Sequence, residues 1–260
     1  MISQLLHISP LLLALLAGTL TWLITALGAA AVFCFRRPRK QTMDVLLGFA
    51  AGVMLAASFW SLLAPAVELA EAAGKAGWLP AGAGFLLGAG FLRLVDAFPM
   101  QQSGRRSGSR LLLLSITLHN IPEGLAVGVA FGALHGSPDA ETLLAAFGVA
   151  LGIGIQNYPE GAAVSLPLWR EGMSRRRSFL LGQATALVEP IAALAGAALA
   201  ALFRTLLPWA LSFAAGAMVL AAVHELIPAC QRERESQPYA ATAGILLGFT
   251  VMTVLDVALS

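Results

Sequence analysis

The chain has 260 residues, of which 58% are hydrophobic and 12% charged. Soluble domains carry roughly 25% charged residues, so this composition excludes a water-soluble globular protein and implies a membrane protein. The net charge is only +2, and the basic residues cluster at the ends of apolar runs, which speaks for topology rather than for binding nucleic acid.

Eight apolar stretches suffice to cross about 30 Å of hydrocarbon: 11–35, 44–67, 78–98, 111–134, 142–169, 178–203, 206–229 and 240–259. With such short connections, residues 1–260 form one transmembrane domain. No basic segment precedes the first stretch, and Arg36-Arg37-Pro38-Arg39-Lys40 follows it. That pattern predicts a retained helix with an outside N-terminus rather than a cleaved signal. The second stretch contains Phe49-Ala50-Ala51-Gly52-Val53-Met54 and ends near Glu68 and Glu71, read as a solvated helix end that can also attract cations. The third carries Gly84, Gly88 and Asp96.

The fourth stretch holds His119-Asn120-Ile121-Pro122-Glu123-Gly124, and the fifth repeats it as Gln156-Asn157-Tyr158-Pro159-Glu160-Gly161. The sixth carries Glu189 followed by Pro190. Phe213-Ala214-Ala215-Gly216-Ala217-Met218 and then His224-Glu225 lie in the seventh, and Gly244, Gly248 and Asp256 in the eighth. His7 and His135 fall in outer segments, and Cys34 and Cys230 near inner helix ends, where they read as reduced bystanders with no disulfide framework.

Thirteen of the 16 basic residues lie in the connections after stretches one, three, five and seven, against Lys75 and Arg204 in the others. This places the odd-numbered connections in the cytoplasm and both termini outside. Stretches two and seven share the Phe-Ala-Ala-Gly-x-Met frame. Three and eight share Gly-x-Leu-Leu-Gly and a later Asp, and one and six align through Gly18/Gly182 and Thr21/Thr185. An odd number of spans separates the copies, so they cross in opposite senses. The predicted fold is an all-α membrane protein of eight transmembrane helices with an inverted 3+2+3 repeat, the arrangement of alternating access about a midplane site. In this frame Asp96 and Asp256 are read as helix-end caps or intramembrane hydrogen-bond acceptors.

An ionisable residue at mid-bilayer costs about 2.5–3.5 kcal/mol on insertion scales and marks a functional site. His119 and Glu123 are four residues apart and share a helix face, with Asn120 beside them. Gln156, Asn157 and Glu160 repeat that geometry. Pro122 and Pro159 each remove a backbone donor and so free the carbonyls of Leu118 and Ile155, while Gly124 and Gly161 let a neighbouring backbone approach. With Glu189, three carboxylates, amide oxygens and one imidazole suit divalent ions such as zinc, Fe(II), Mn(II) and Cd(II).

On these motifs the chain resembles the ZIP family of divalent metal transporters, and within it the GufA-type bacterial branch. The resemblance implies zinc transport across the cell inner membrane into the cytoplasm, through a binuclear site, with an elevator-like motion of spans one, four, five and six against the rest and a homodimer. It implies one ion on Met54, His119, Glu123, Gln156 and Glu160, and a second on Asn120, Glu123, Asn157, Glu160 and Glu189. Met54 also reads as apolar filler, since Met218 occupies the matching position. Gln156 and Asn157 depart from relatives that carry His or an acid there, which predicts a weaker second ion. His224 and Glu225 resemble a release path, and the repeat pairs them with Trp60 and Ser61.

An intramembrane metalloenzyme is the competing class, but Pro228 stands where a His-Glu-x-x-His motif needs its second His. No Gly-x-Ser-x-Gly or Walker A sequence is present, so a simple hydrolase or an ATP-driven pump is excluded. A metal-selective channel would share the same ligands. The orientation is checked by labelling: a cysteine at Ser107 reacts only from the cytoplasmic side and one at Ser137 only from outside. The reverse pattern overturns the topology.

Overall fold

A computed structural model describes residues 2–34, 40–97, 106–136, 138–170, 172–202, 204–231 and 238–259. The side chains of His119 and Asp96 lie outside the described residues, as do Arg36, Arg37, Arg39, Arg105, Arg232 and Arg234 of the basic clusters. Among the described residues there is no strand. That is the arrangement hydrocarbon permits, because a helix satisfies its own backbone groups where water cannot.

The long helical segments are α1 (Pro10–Cys34), α2 (Gln41–Ala72), α3 (Pro80–Leu94), α4 (Arg106–Gly132), α5 (Ala140–Arg170), α6 (Arg175–Leu202), α7 (Leu207–Gln231) and α8 (Tyr239–Ala258). Their starts follow local chemistry. Pro10 and Pro208 occupy first-turn positions where a missing N–H costs nothing. Asp139 accepts from the Thr142 amide at 2.8 Å to cap α5, and the Ser174 hydroxyl accepts from the Arg177 amide at 3.3 Å to cap α6.

Six of these segments are long and apolar enough on their own to cross a membrane: α1, α2, α5, α6, α7 and α8. α3 is shorter. α4 has 27 residues but carries Arg106, Arg110, His119, Asn120 and Glu123. Its length suits a crossing while its composition serves a polar interior. Pro122 and Pro159 lie inside continuous helices, and α5 runs through Pro167 as well. The irregular turns lie elsewhere. α2 and α7 each contain a π-helical segment, Ser58–Leu63 and Ala222–Leu226, and α6 a 3₁₀ turn at Thr185–Leu187, just ahead of Glu189. A third π segment, Pro80–Gly84, opens α3; those of α2 and α7 occupy matched positions of the repeat, and they carry Ser61 in one and His224 and Glu225 in the other. Such bulges recur at functional positions because the extra residue re-aims side chains.

The helices pack most closely in the pairs α2–α8, α3–α7, α4–α6 and α1–α5, with α1 also against α6. One group is therefore α1, α4, α5 and α6, and the other α2, α3, α7 and α8. Glycines make the pairs. A Cβ on Gly88 would collide with the Phe213 carbonyl, and one on Gly248 with the Phe49 carbonyl. Gly216 meets Phe85 and Gly52 meets Ile245 in the same reciprocal way. These contacts follow the repeat numbering, so the small residues noted in the sequence are where backbones touch. Two crevices, of about 320 Å³ by Val129 and Trp209 and about 560 Å³ by Phe49 and Tyr158, run along the seam between the groups and are lined almost wholly by apolar surface.

Cys34 and Cys230 are free thiols, the former exposed and the latter buried.

Filling a backbone contact costs about 1–3 kcal/mol or more. Gly88→Val and Gly248→Val are therefore expected to lower the melting temperature of the detergent-solubilised protein by several degrees. Gly90→Ala, with nothing within 4 Å of the added carbon, leaves it unchanged. Equal melting of all three variants contradicts the packing assigned to these glycines.

Candidate metal centre

Four helices bring polar side chains together inside the first group. Asn120 and Glu123 come from α4, Gln156, Asn157 and Glu160 from α5, Glu189 from α6, and Thr21 and Thr25 from α1. Each is 3% exposed or less. The apolar spacing of α4 and α5 sets this arrangement, since positions three and four apart return to one helix face. Gly124 and Gly161 allow the approach. A Cβ on Gly124 would press on the Glu189 backbone, and one on Gly161 on the Thr25 carbonyl.

The carboxylates are tied to amides. Gln156 Nε2 donates to Glu123 Oε1. Asn157 Nδ2 donates to both oxygens of Glu189, each at 2.9 Å, and reaches the Thr21 carbonyl at 3.3 Å. Glu123 feels the charges of Glu160 and Glu189, and Glu160 that of Glu225. Like charges this close in a low-dielectric interior repel strongly unless a positive charge joins them.

Five buried polar atoms here have no hydrogen-bond partner: Glu123 Oε2, Gln156 Oε1, Asn157 Oδ1, and Asn120 Oδ1 and Nδ2. Leaving a buried polar group unpaired costs about 1–3 kcal/mol, and four of the five are oxygen acceptors. Oxygen acceptors gathered around carboxylates are the kind of donor set a divalent cation takes. Among the described residues, no three His, Cys, Asp or Glu side chains alone are grouped to enclose an ion. A cation here would draw on the amide oxygens too.

The other residues singled out in the sequence fall in different places. Met54 is buried in the main apolar cluster along with Met218. Ser61 is buried and donates to Asp256 Oδ2 at 2.8 Å, the intramembrane hydrogen bond expected of that aspartate. His224 is exposed, Glu225 is half-buried and faces Glu160, and Glu68 and Glu71 are exposed at the far end of α2. His7 and His135 are exposed, with His135 Nδ1 3.1 Å from the Gly132 carbonyl. The sequence reading passed over Thr25 and treated Thr21 only as an alignment mark. The signal was present: two hydroxyls one helical turn apart in an apolar helix, with Thr25 at the repeat position of Glu189. It also passed over Asp44, 2% exposed near the N-terminal end of α2 and close enough to Cys230 to influence it.

The fold and site define a multi-pass α-helical membrane protein built around a buried cluster of carboxylates and amides. The family model described as ZIP Zinc transporter matches residues 96–256, and the chain belongs to the ZIP family. It is 40% identical to "Zinc transporter ZIP11" of Xenopus tropicalis over 96% of this chain and 98% of that protein. It is also 40% identical to "Zinc transporter GufA" of Myxococcus xanthus, over the same shares of the two chains. To "Zinc transporter ZIPB" of Bordetella bronchiseptica it is 36% identical, over 95% of this chain and 81% of that one. These relatives are named as transporters, not enzymes, which sets aside the metalloenzyme class.

Replacing Glu123 or Glu160 with Ala is expected to bring metal uptake down to the background of empty liposomes while the protein remains folded in the membrane. Uptake by Glu123→Ala at the unaltered rate contradicts the site.

Proposed function

We propose that the chain carries zinc across the cell inner membrane into the cytoplasm by alternating access, through two adjacent ions held at the bilayer midplane. The observation that carries this reading is the buried set of carboxylates and unpartnered amide oxygens on α4, α5 and α6. Membership of a family whose relatives are named zinc transporters supports zinc as the principal cargo, and the oxygen-rich ligand set also admits cadmium, iron and manganese.

Glu123 and Glu160 bridge the two ions. His119, Gln156 and Met54 complete the first, and Asn120, Asn157 and Glu189 the second. One divalent ion leaves three carboxylates with one uncompensated negative charge, so a second ion or a proton shares the site, because a buried unneutralised charge is expensive.

All of α1 to α8 cross the membrane, α3 and α4 included, with both termini outside. The matched glycine contacts support an inverted repeat. The group α1, α4, α5 and α6 moves as a body against α2, α3, α7 and α8, past the apolar crevices along their seam, and the chain works as a homodimer. His224 and Glu225 accept the ions on the cytoplasmic side. Ser61 and the acidic end of α2 at Glu68 lie towards the outer opening.

Zinc uptake into proteoliposomes, with cadmium, iron(II) and manganese(II) as competitors, tests the function. Flux that saturates at micromolar zinc without single-channel currents supports the carrier. Unitary currents would make it a channel instead. Within the site, His119→Ala removes the tight ion in titration calorimetry, whereas Glu189→Gln removes the weak ion and spares most of the flux. Loss of the high-affinity phase in Glu189→Gln reverses the assignment of the two ions.

A further inference from the structure

We propose that Thr21 and Thr25 are positioning residues for Glu189 and Asn157, and that α1 thereby sets how tightly the second cation binds. This rests on the two-ion reading above. Both threonines are 1% exposed and stand one turn apart on the face of α1 that meets α5 and α6.

Their hydroxyls stand near enough to the Glu189 carboxyl to act on it, though neither is bonded to it in this state. Each also faces a carbonyl of its own helix: Thr21 Oγ1 is 3.0 Å from the Gly18 carbonyl, and Thr25 Oγ1 3.3 Å from that of Thr21. A hydroxyl has one hydrogen to give, so each can turn between the helix and the carboxylate. The Thr21 carbonyl in turn receives the Asn157 amide at 3.3 Å, the same amide that grips both Glu189 oxygens. One turn of α1 thus touches both the carboxylate and the amide assigned to the second ion.

The backbone there has little slack. Gly18 packs on the Glu189 carbonyl and Pro190, Gly161 on the Thr25 carbonyl, and Gly28 on the Tyr158 carbonyl. With no side chain at these glycines, the helices sit close and the hydroxyls are held at fixed height against α5 and α6. Thr25 also occupies the repeat position of Glu189, so the two copies contribute a hydroxyl and a carboxylate at one place. The plain alternative is a threonine bonding back to its own helix, a common arrangement. Thr185, the repeat counterpart of Thr21, makes that back-bond to Gly182 at 2.8 Å and serves as the comparison.

The test uses the full-length protein, purified for zinc calorimetry and reconstituted for uptake. Outer-sphere groups that orient ligands are typically worth 10–100-fold in metal affinity. Thr21→Val and Thr25→Val are therefore expected to weaken the low-affinity zinc phase by about 10-fold, to leave the tight phase in place, and to raise KM more than they lower kcat. Thr25→Ser keeps the hydroxyl and restores the weak phase, and Thr185→Val behaves as the unaltered protein. Unchanged zinc binding in both Val variants overturns the proposal, as does an equal loss in Thr185→Val or no recovery in Thr25→Ser. If the unaltered protein binds no zinc, or Glu123→Ala binds it normally, the two-ion reading itself has failed.

Discussion

The cost of keeping carboxylates out of water governs this molecule. Glu123, Glu160 and Glu189 are buried to 3% exposure or less within helices surrounded by hydrocarbon, where a lone charge costs several kcal/mol. Two of them are answered by amide N–H groups from Gln156 and Asn157, but hydrogen bonds from neutral amides do not cancel mutual repulsion. What cancels it is positive charge. A cluster that stays unfavourable until positive charge enters, and is crowded with oxygen acceptors, suits the cation binding proposed for it.

The helix packing serves that need. Carboxylates on three helices meet only if backbones approach more closely than ordinary side chains allow, and Gly124, Gly161 and Gly18 provide the approach within one group. Gly52, Gly88, Gly216 and Gly248 do the same in the other. Between the groups the packing is looser and apolar, as the two crevices show. Tight contacts inside each body and a greasy seam between them suit relative motion, since sliding across an apolar seam breaks no hydrogen bonds.

The sequence was most legible where polar chemistry is expensive. A Pro-Glu-Gly repeated inside apolar stretches marked α4 and α5, and the inward burial of Asn120, Glu123, Gln156, Asn157, Glu160 and Glu189 follows from their spacing. Matched glycines marked the helix pairs, and Asp256 found its intramembrane donor in Ser61. Features that depend on the partner helix were not legible. The π segments of α2 and α7 have no compositional signature, because an extra residue in a turn is decided by what that turn packs against. Helix continuity through Pro122 and Pro159 rests on tight packing against α6 and α1, which outweighs the lost backbone bonds. Thr21 and Thr25 were overlooked because a threonine in an apolar helix usually bonds to its own backbone. Hydropathy also ranks α4 poorly for the same reason that it matters: it carries polar residues, of which Asn120 and Glu123 face the centre.

Everything in the proposed function depends on cations binding between Glu123, Glu160 and Glu189. Anomalous diffraction from crystals of the full-length protein grown with zinc or cadmium tests it most directly. The account predicts two peaks roughly 4 Å apart, as shared carboxylates impose, both within coordination distance of Glu123 and Glu160 and one of them also of Glu189. Metal density found only at exposed groups such as Glu68 or His224, with none between α4 and α5, would contradict it.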